Sequence, residues 1–347
     1  MKYSLLFCLL ILAGCKSSEK NQQITATENV VESKGFTVEI LDDAVRSILT
    51  EDANITTIAA GFTWAEGTLW LPDQQALIFS DVPENKIYKW IPNQGLSTWM
   101  DSSGYTGPAE IKREGSNGLL LNELGQLVIC QHGDRRVVVM DATLSNPKPK
   151  YTTLASTWRK NRLNSPNDAA YYKGELYFTD PPYGLFGQDK DPLKEIGFNG
   201  VYRVGKKGVV IKIVDNLKRP NGIAFNSETN MMYVSNSDPE HAIWMRYDMS
   251  DVNNPQGYLL YDATDQVSRF SGLPDGLKIH PSGYVFATGP GGIWVFSPTD
   301  KLSARIYVPQ ATANCAFDDT YSNLYVAADS TVIRVALKAP PAKSNPN

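Results

Sequence analysis

From about residue 55 onward, short apolar runs of Val, Ile, Leu, Tyr, Phe and Trp are broken by Gly, Pro, Asn and Asp. That alternation predicts strands and tight turns, with one helical candidate at Asp42 to Leu49. The runs also repeat. Each copy carries a polar residue, a small residue, an apolar strand, a turn and a second apolar strand, and several add a third. The copies begin at Ala65-Glu66-Gly67, Ser116-Asn117-Gly118, Pro166-Asn167-Asp168, Pro220-Asn221-Gly222, Pro274-Asp275-Gly276 and Ala313-Asn314-Cys315. Their central residues lie 51, 50, 54, 54 and 39 positions apart. Solenoids of this period need helices, and these copies predict none. The expectation is therefore an all-β, six-bladed β-propeller, each sheet packing on its neighbours around a central channel. The last copy runs short of chain, so Ile55 to Ala60 is expected to supply its outer strand and close the ring.

The ends follow a different pattern. Met1-Lys2-Tyr3 is charged, Ser4 to Ile11 is nearly all apolar, and Leu12-Ala13-Gly14-Cys15 follows. This is the order of a secretory signal, too short to span a bilayer as a helix. A Cys after Leu-Ala-Gly resembles a bacterial lipoprotein box, with Cys15 as the lipidated residue. The expected organisation is a signal peptide at 1–14, a polar tether at 15–35, the propeller at 36–340 and a tail at 341–347. The protein is expected to be exported and lipid-anchored to the bacterial cell envelope. Of the other cysteines, Cys8 leaves with the signal, and Cys130 and Cys315 each sit inside an apolar run, which predicts two buried thiols.

Charge narrows the partners. With 33 Lys+Arg against 37 Asp+Glu, the chain of 347 residues has a formal net charge of −4 and no basic cluster. A nucleic-acid partner is not expected, nor does any feature call for an obligate protein partner. Membrane contact is expected through the lipid only.

Glu66, Asn117, Asn167, Asn221, Asp275 and Asn314 all carry side-chain oxygens at the same place in their copies. In a propeller, equivalent positions on the innermost strands converge on the axis. Six such donors, two of them carboxylates, suit a hard divalent cation, calcium above all. His132, His241 and His280 are too far apart in sequence to predict a zinc motif. Taken one copy at a time, Asn-Gly and Asp-Gly are equally ordinary turn dipeptides.

Trp64-Ala65-Glu66-Gly67, Ser165-Pro166-Asn167-Asp168, Phe178-Thr179-Asp180-Pro181-Pro182-Tyr183-Gly184, Pro220-Asn221-Gly222 and Pro274-Asp275-Gly276 resemble the senescence marker protein (regucalcin)/gluconolactonase family, the bacterial gluconolactonases in particular. The resemblance runs from about Phe36 to Leu337. It implies a six-bladed propeller with a catalytic divalent metal, usually calcium, with zinc, magnesium or manganese as alternatives. It implies metal ligation by Glu66, Asn167, Asn221 and Asp275, with Asp275 also the catalytic base. Asn117, Arg162 and Asp180 are the expected substrate-binding residues, and His132 is a second catalytic candidate as a proton carrier. Two positions depart from the family pattern: Thr68 stands where Pro is usual, and Gln131 where Glu is common. The sequence contains no G-x-S-x-G elbow, no H-E-x-x-H pair and no phosphate-binding Gly-Lys-Ser/Thr loop. The function so implied is hydrolysis of sugar lactones. A paraoxonase- or diisopropylfluorophosphatase-like hydrolase of esters or phosphotriesters is the alternative, and a non-catalytic propeller binding carbohydrate or protein is a third reading.

Overall fold

The computed structural model describes residues 35–339 except 109 and 112. The expected signal segment, Cys15 and most of the tether lie outside the described residues. Six antiparallel sheets follow one another along the chain, as the repeat predicts. Blade 1 runs Ala65–Leu71, Ala76–Asp81, Lys86–Ile91 and Gly95–Asp101, from the axis outward, and blades 2 to 4 repeat that order from Ser116–Leu121, Ala169–Tyr172 and Pro220–Asn226. Blade 5 starts at Leu277–Ile279 and gains a fifth strand, Thr37–Ile40, at its outer edge. Blade 6 contains Thr312–Phe317, Asn323–Ala328 and Thr331–Ala336, and its outer strand is Ile55–Ala60. The ring is thus closed by the segment expected to close it.

The helical candidate resolves as a short 3-10 helix, Asp43–Ser47, capped by the Asp42 side chain, which accepts from Ala44 N at 2.9 Å. It turns the chain between the outer strands of blades 5 and 6. Val45, Ile48 and Leu49 bury beside it, so the segment straps two blades together.

Apolar residues face both sides of the middle strands because each sheet is covered on both faces. Six apolar clusters fill the six interfaces between neighbouring blades. At the closure, Trp70 of blade 1 stacks on Tyr325 of blade 6 with ring centroids 5.3 Å apart. Cys130 and Cys315 are buried free thiols within this core.

Candidate metal and substrate site

The inner strands carry a device the sequence did not announce. In blades 1, 2, 4 and 6 the ladder between first and second strand slips next to the repeat residue, at Glu66/Leu69, Ser116/Leu119, Pro220/Ile223 and Thr312/Asn314. Such bulges re-aim a side chain out of the sheet's alternation. In blades 3 and 5 the ladder begins only after Asn167 and Asp275. The glycine that follows serves crowding more than turning. A Cβ on Gly222 would lie 2.3 Å from the Asp275 carbonyl oxygen, and one on Gly67 1.9 Å from that of Asn117. At these positions one inner strand approaches the next within backbone contact.

Hydroxyls on the second strands stitch this ring. Ser80 donates to Asn117 O at 2.9 Å, Thr179 to Asn221 O at 2.6 Å and Ser235 to Asp275 O at 2.7 Å. Polar side chains at or near the ends of second strands hold the chain two residues ahead of a repeat residue. Asp81 accepts from the amides of Thr63 and Trp64, both at 3.1 Å, and Asp180 from those of Asn164 at 2.7 Å and Ser165 at 2.8 Å. Asn236 accepts from Arg219 N at 2.7 Å.

Above the ring opens a cavity of about 670 Å³. Glu66, Asn117, Asn167, Asn221, Asp275 and His132 all line it. The Oδ1 atoms of Asn117, Asn221 and Asp275 are buried without a hydrogen-bond partner. Asn221 is oriented by donating its amide to Ser237 Oγ at 2.8 Å, which leaves its oxygen free for the cavity. Desolvation, together with the nearby charge of Asp168, pushes the Glu66 carboxyl up to about 7. Burial, then the charges of Glu66 and Asp168, holds Asp275 well above the usual carboxylate range. Asp168 is itself buried, with Oδ2 unpartnered and Lys278 Nζ 3.9 Å away. Orphaned oxygens and crowded carboxylates fit a hard divalent cation, which would satisfy the first and neutralise the second. The donors are mixed: no group of three or more His, Cys, Asp or Glu side chains among the described residues is placed to hold a metal. A zinc site built from such groups is not what this ring offers.

Three sequence-predicted positions lie elsewhere. Asn314 turns its Oδ1 to Cys315 N at 2.9 Å, and its side chain helps hold the Glu66 anion. Asp180 lies outside the cavity lining, fully buried beneath the loop it fastens, where desolvation pushes its carboxyl up to about 7. Its place in the structure is that of a support for Asn167, two residues beyond Ser165, and not of a group exposed to substrate. Arg162 is exposed on a small hairpin, Thr157–Trp158 with Asn161–Arg162, and donates to Asp134 O at 3.0 Å. It too lies outside the lining, on a hairpin whose Trp158 packs on Phe198 beside blade 3 and whose Arg162 amide is held by Glu195. Gln131 is also outside the cavity lining, donating to Ser103 O and accepting from Arg136 Nε. A carboxylate beside His132 at the cavity wall comes instead from Glu114, whose Oε2 lies 2.9 Å from His132 Nδ1.

Sequence reasoning missed Glu114 and Asp168. Asp168 had a signal, since it stands where four other copies have glycine. Glu114 had none.

The family model for the SMP-30/gluconolactonase/LRE-like region matches residues 64–330. A gluconolactonase of Zymomonas mobilis subsp. mobilis is 34% identical over 304 residues, covering 84% of this chain and 83% of its own. Among solved structures, a gluconolactonase from Xanthomonas campestris superposes with a TM-score of 0.73 at 24% identity, covering 87% of this chain and 95% of its own. A calcium-binding regucalcin from Agrobacterium tumefaciens reaches 0.61 at 17% identity, over 82% of this chain and 94% of its own. These two likenesses concern the fold, whereas the matched region and the Zymomonas relative span most of the chain in sequence. The chain belongs to the SMP-30/gluconolactonase/LRE-like family.

Proposed function

We propose that the protein is a divalent-cation-dependent lactonase that opens sugar lactones such as gluconolactone to aldonic acids. One observation carries the reading: oxygens left without partners on Asn117, Asn221 and Asp275 face a cavity they share with Glu66 and Asn167. The family relation to a gluconolactonase supports the substrate class. Glu66, Asn167, Asn221 and Asp275 would hold the cation, for which calcium has the matching donor preference. Bound there, it supplies Lewis acidity to a lactone carbonyl and orients water. The protein's own part is to place and protect the ring. Asn117 offers an amide to substrate hydroxyls, and Trp64 and Phe270 wall the cavity with apolar surface. A proton must leave the attacking water, and Asp275 and His132 are the two candidate acceptors among the groups that line the cavity.

The test is hydrolysis across a lactone panel with metal-loaded, chelated and reloaded protein, with Asp275→Asn alongside and bound metal counted separately. Activity should vanish on chelation and return with calcium. Asn keeps an oxygen donor but cannot take a proton, so an Asp275 base predicts a fall in kcat of roughly 10²–10⁴ even when loaded. Recovery of most of the rate at high calcium assigns Asp275 to ligation alone. Turnover of aryl phosphotriesters but no lactone would replace this reading with the paraoxonase-like one.

A further inference from the structure

The cavity holds a second organised group besides the oxygen ring. We infer that Glu114 and His132 form a proton-relay pair, in which Glu114 positions His132 so that its Nε2 is the base for the attacking water; this rests on the hydrolytic reading above. Four observations carry it.

Glu114 Oε2 and His132 Nδ1 are 2.9 Å apart. With Glu114 as a carboxylate, which only accepts, Nδ1 carries the proton, and in a neutral imidazole the lone pair then sits on Nε2. That Nε2 is buried and has no partner, although the ring is 1% exposed and lines the cavity. An unpartnered buried polar atom is costly to a fold, and this one belongs to a ring that lines the same cavity as Glu66, Asn167, Asn221 and Asp275.

The pair is also clamped on both sides by glycines. A Cβ on Gly184, the last residue of Pro181-Pro182-Tyr183-Gly184, would lie 2.7 Å from His132 Cβ and 2.8 Å from Ser165 Cβ. One on Gly133 would lie 2.4 Å from Glu114 O. His132 N meanwhile donates to Gly115 O at 3.1 Å, locking the two segments together. The backbone has been given room at the two places where a side chain would push histidine and glutamate apart.

The step balances without a further reactant. Nε2 takes a proton from water as the water oxygen bonds to the lactone carbonyl carbon. The ring C–O bond then breaks, and the departing alkoxide oxygen takes the proton back from Nε2. Water and lactone become the hydroxy acid, and the imidazole returns to its starting state.

Nitrogen-15 NMR of histidine-labelled protein reads the pair directly, since the chain has 3 histidines. The expected result is a protonated Nδ1 and a bare Nε2 on His132, with mixed tautomers in Glu114→Ala. With D-glucono-δ-lactone and saturating calcium, His132→Gln should lower kcat by roughly 10²–10⁴ while KM moves by no more than about threefold. Glu114→Ala should also lower kcat. Glu114→Gln, whose amide oxygen still accepts from Nδ1, should recover part of what alanine loses. A wild-type ring protonated on Nε2, or near-native kcat in a folded His132→Gln protein, overturns the pair. If the wild type opens no lactone, the proposed function falls, and the tautomer still decides whether Glu114 orients His132.

Discussion

His280 shows how a single buried side chain can set a pH limit away from any chemistry. It follows the inner strand of blade 5, is 1% exposed, and packs edge-on against Phe317 and Tyr321 at 5.4 Å each. Its Nδ1 meets Ser282 Oγ at 2.6 Å, while Nε2 has no partner. Burial disfavours the imidazolium and lowers its pKa from 6.5 to about 4. The folded protein therefore keeps this ring neutral where the unfolded chain would protonate it. The ring thus costs no stability above about 6.5, and stability is lost as pH falls from there toward about 4, where only the unfolded chain takes up the proton. Replacing the ring by a non-titrating one, His280→Phe, should flatten the dependence of Tm on pH across that window. Parallel Tm-against-pH curves for the two proteins would show that His280 carries none of it.

Strands acquire their functional geometry from neighbours in the next blade. Thr179 lies on the second strand of blade 3, yet its hydroxyl holds the Asn221 carbonyl of blade 4 at 2.6 Å. The Asn221 side chain is in turn held by Ser237 of its own blade. Thr179→Val keeps the branched shape and deletes the donor, leaving a buried carbonyl short of its partner. A loss of about 1–3 kcal/mol in stability is expected, together with weaker calcium binding by titration calorimetry. Unchanged affinity in the valine variant would mean that Asn221 is positioned without the stitch. Gly222 explains why the neighbouring position is so constrained, since any Cβ there meets Asp275 O.

At the scale of the whole ring, closure depends on residues that precede the first repeat. Ile55–Ala60 pairs with Thr331–Ala336, Thr37–Ile40 pairs with Leu302–Tyr307, and the short helix between them buries Val45. Removing this strap exposes two strand edges and opens the packing of blades 5 and 6. A chain starting at residue 61 should melt well below one starting at residue 36, and aggregate through the freed edges. Equal Tm values by calorimetry would show that the interface between blades 6 and 1, with its Trp70–Tyr325 stack, closes the ring unaided.

The repeat, the blade count, the closing strand and the buried cysteines were all legible in the sequence, because a period of apolar runs is a local property that each copy states for itself. The repeat phase also brought Glu66, Asn117, Asn167, Asn221 and Asp275 to one cavity, since rotational repetition converts equal phase into common position. Phase did not extend to Asn314, whose oxygen is taken by the next amide, or to Arg162, which sits on a hairpin the repeat does not encode; Asp180 is in phase with Asp81 and Asn236, but as a support beneath the ring and not as a cavity residue. Nor did the sequence point to Glu114. Its role depends on a contact 18 positions away across two segments, made possible by the missing side chains of Gly133 and Gly184. Periodicity fixes which residues share the axis; only packing decides which of their neighbours can reach it.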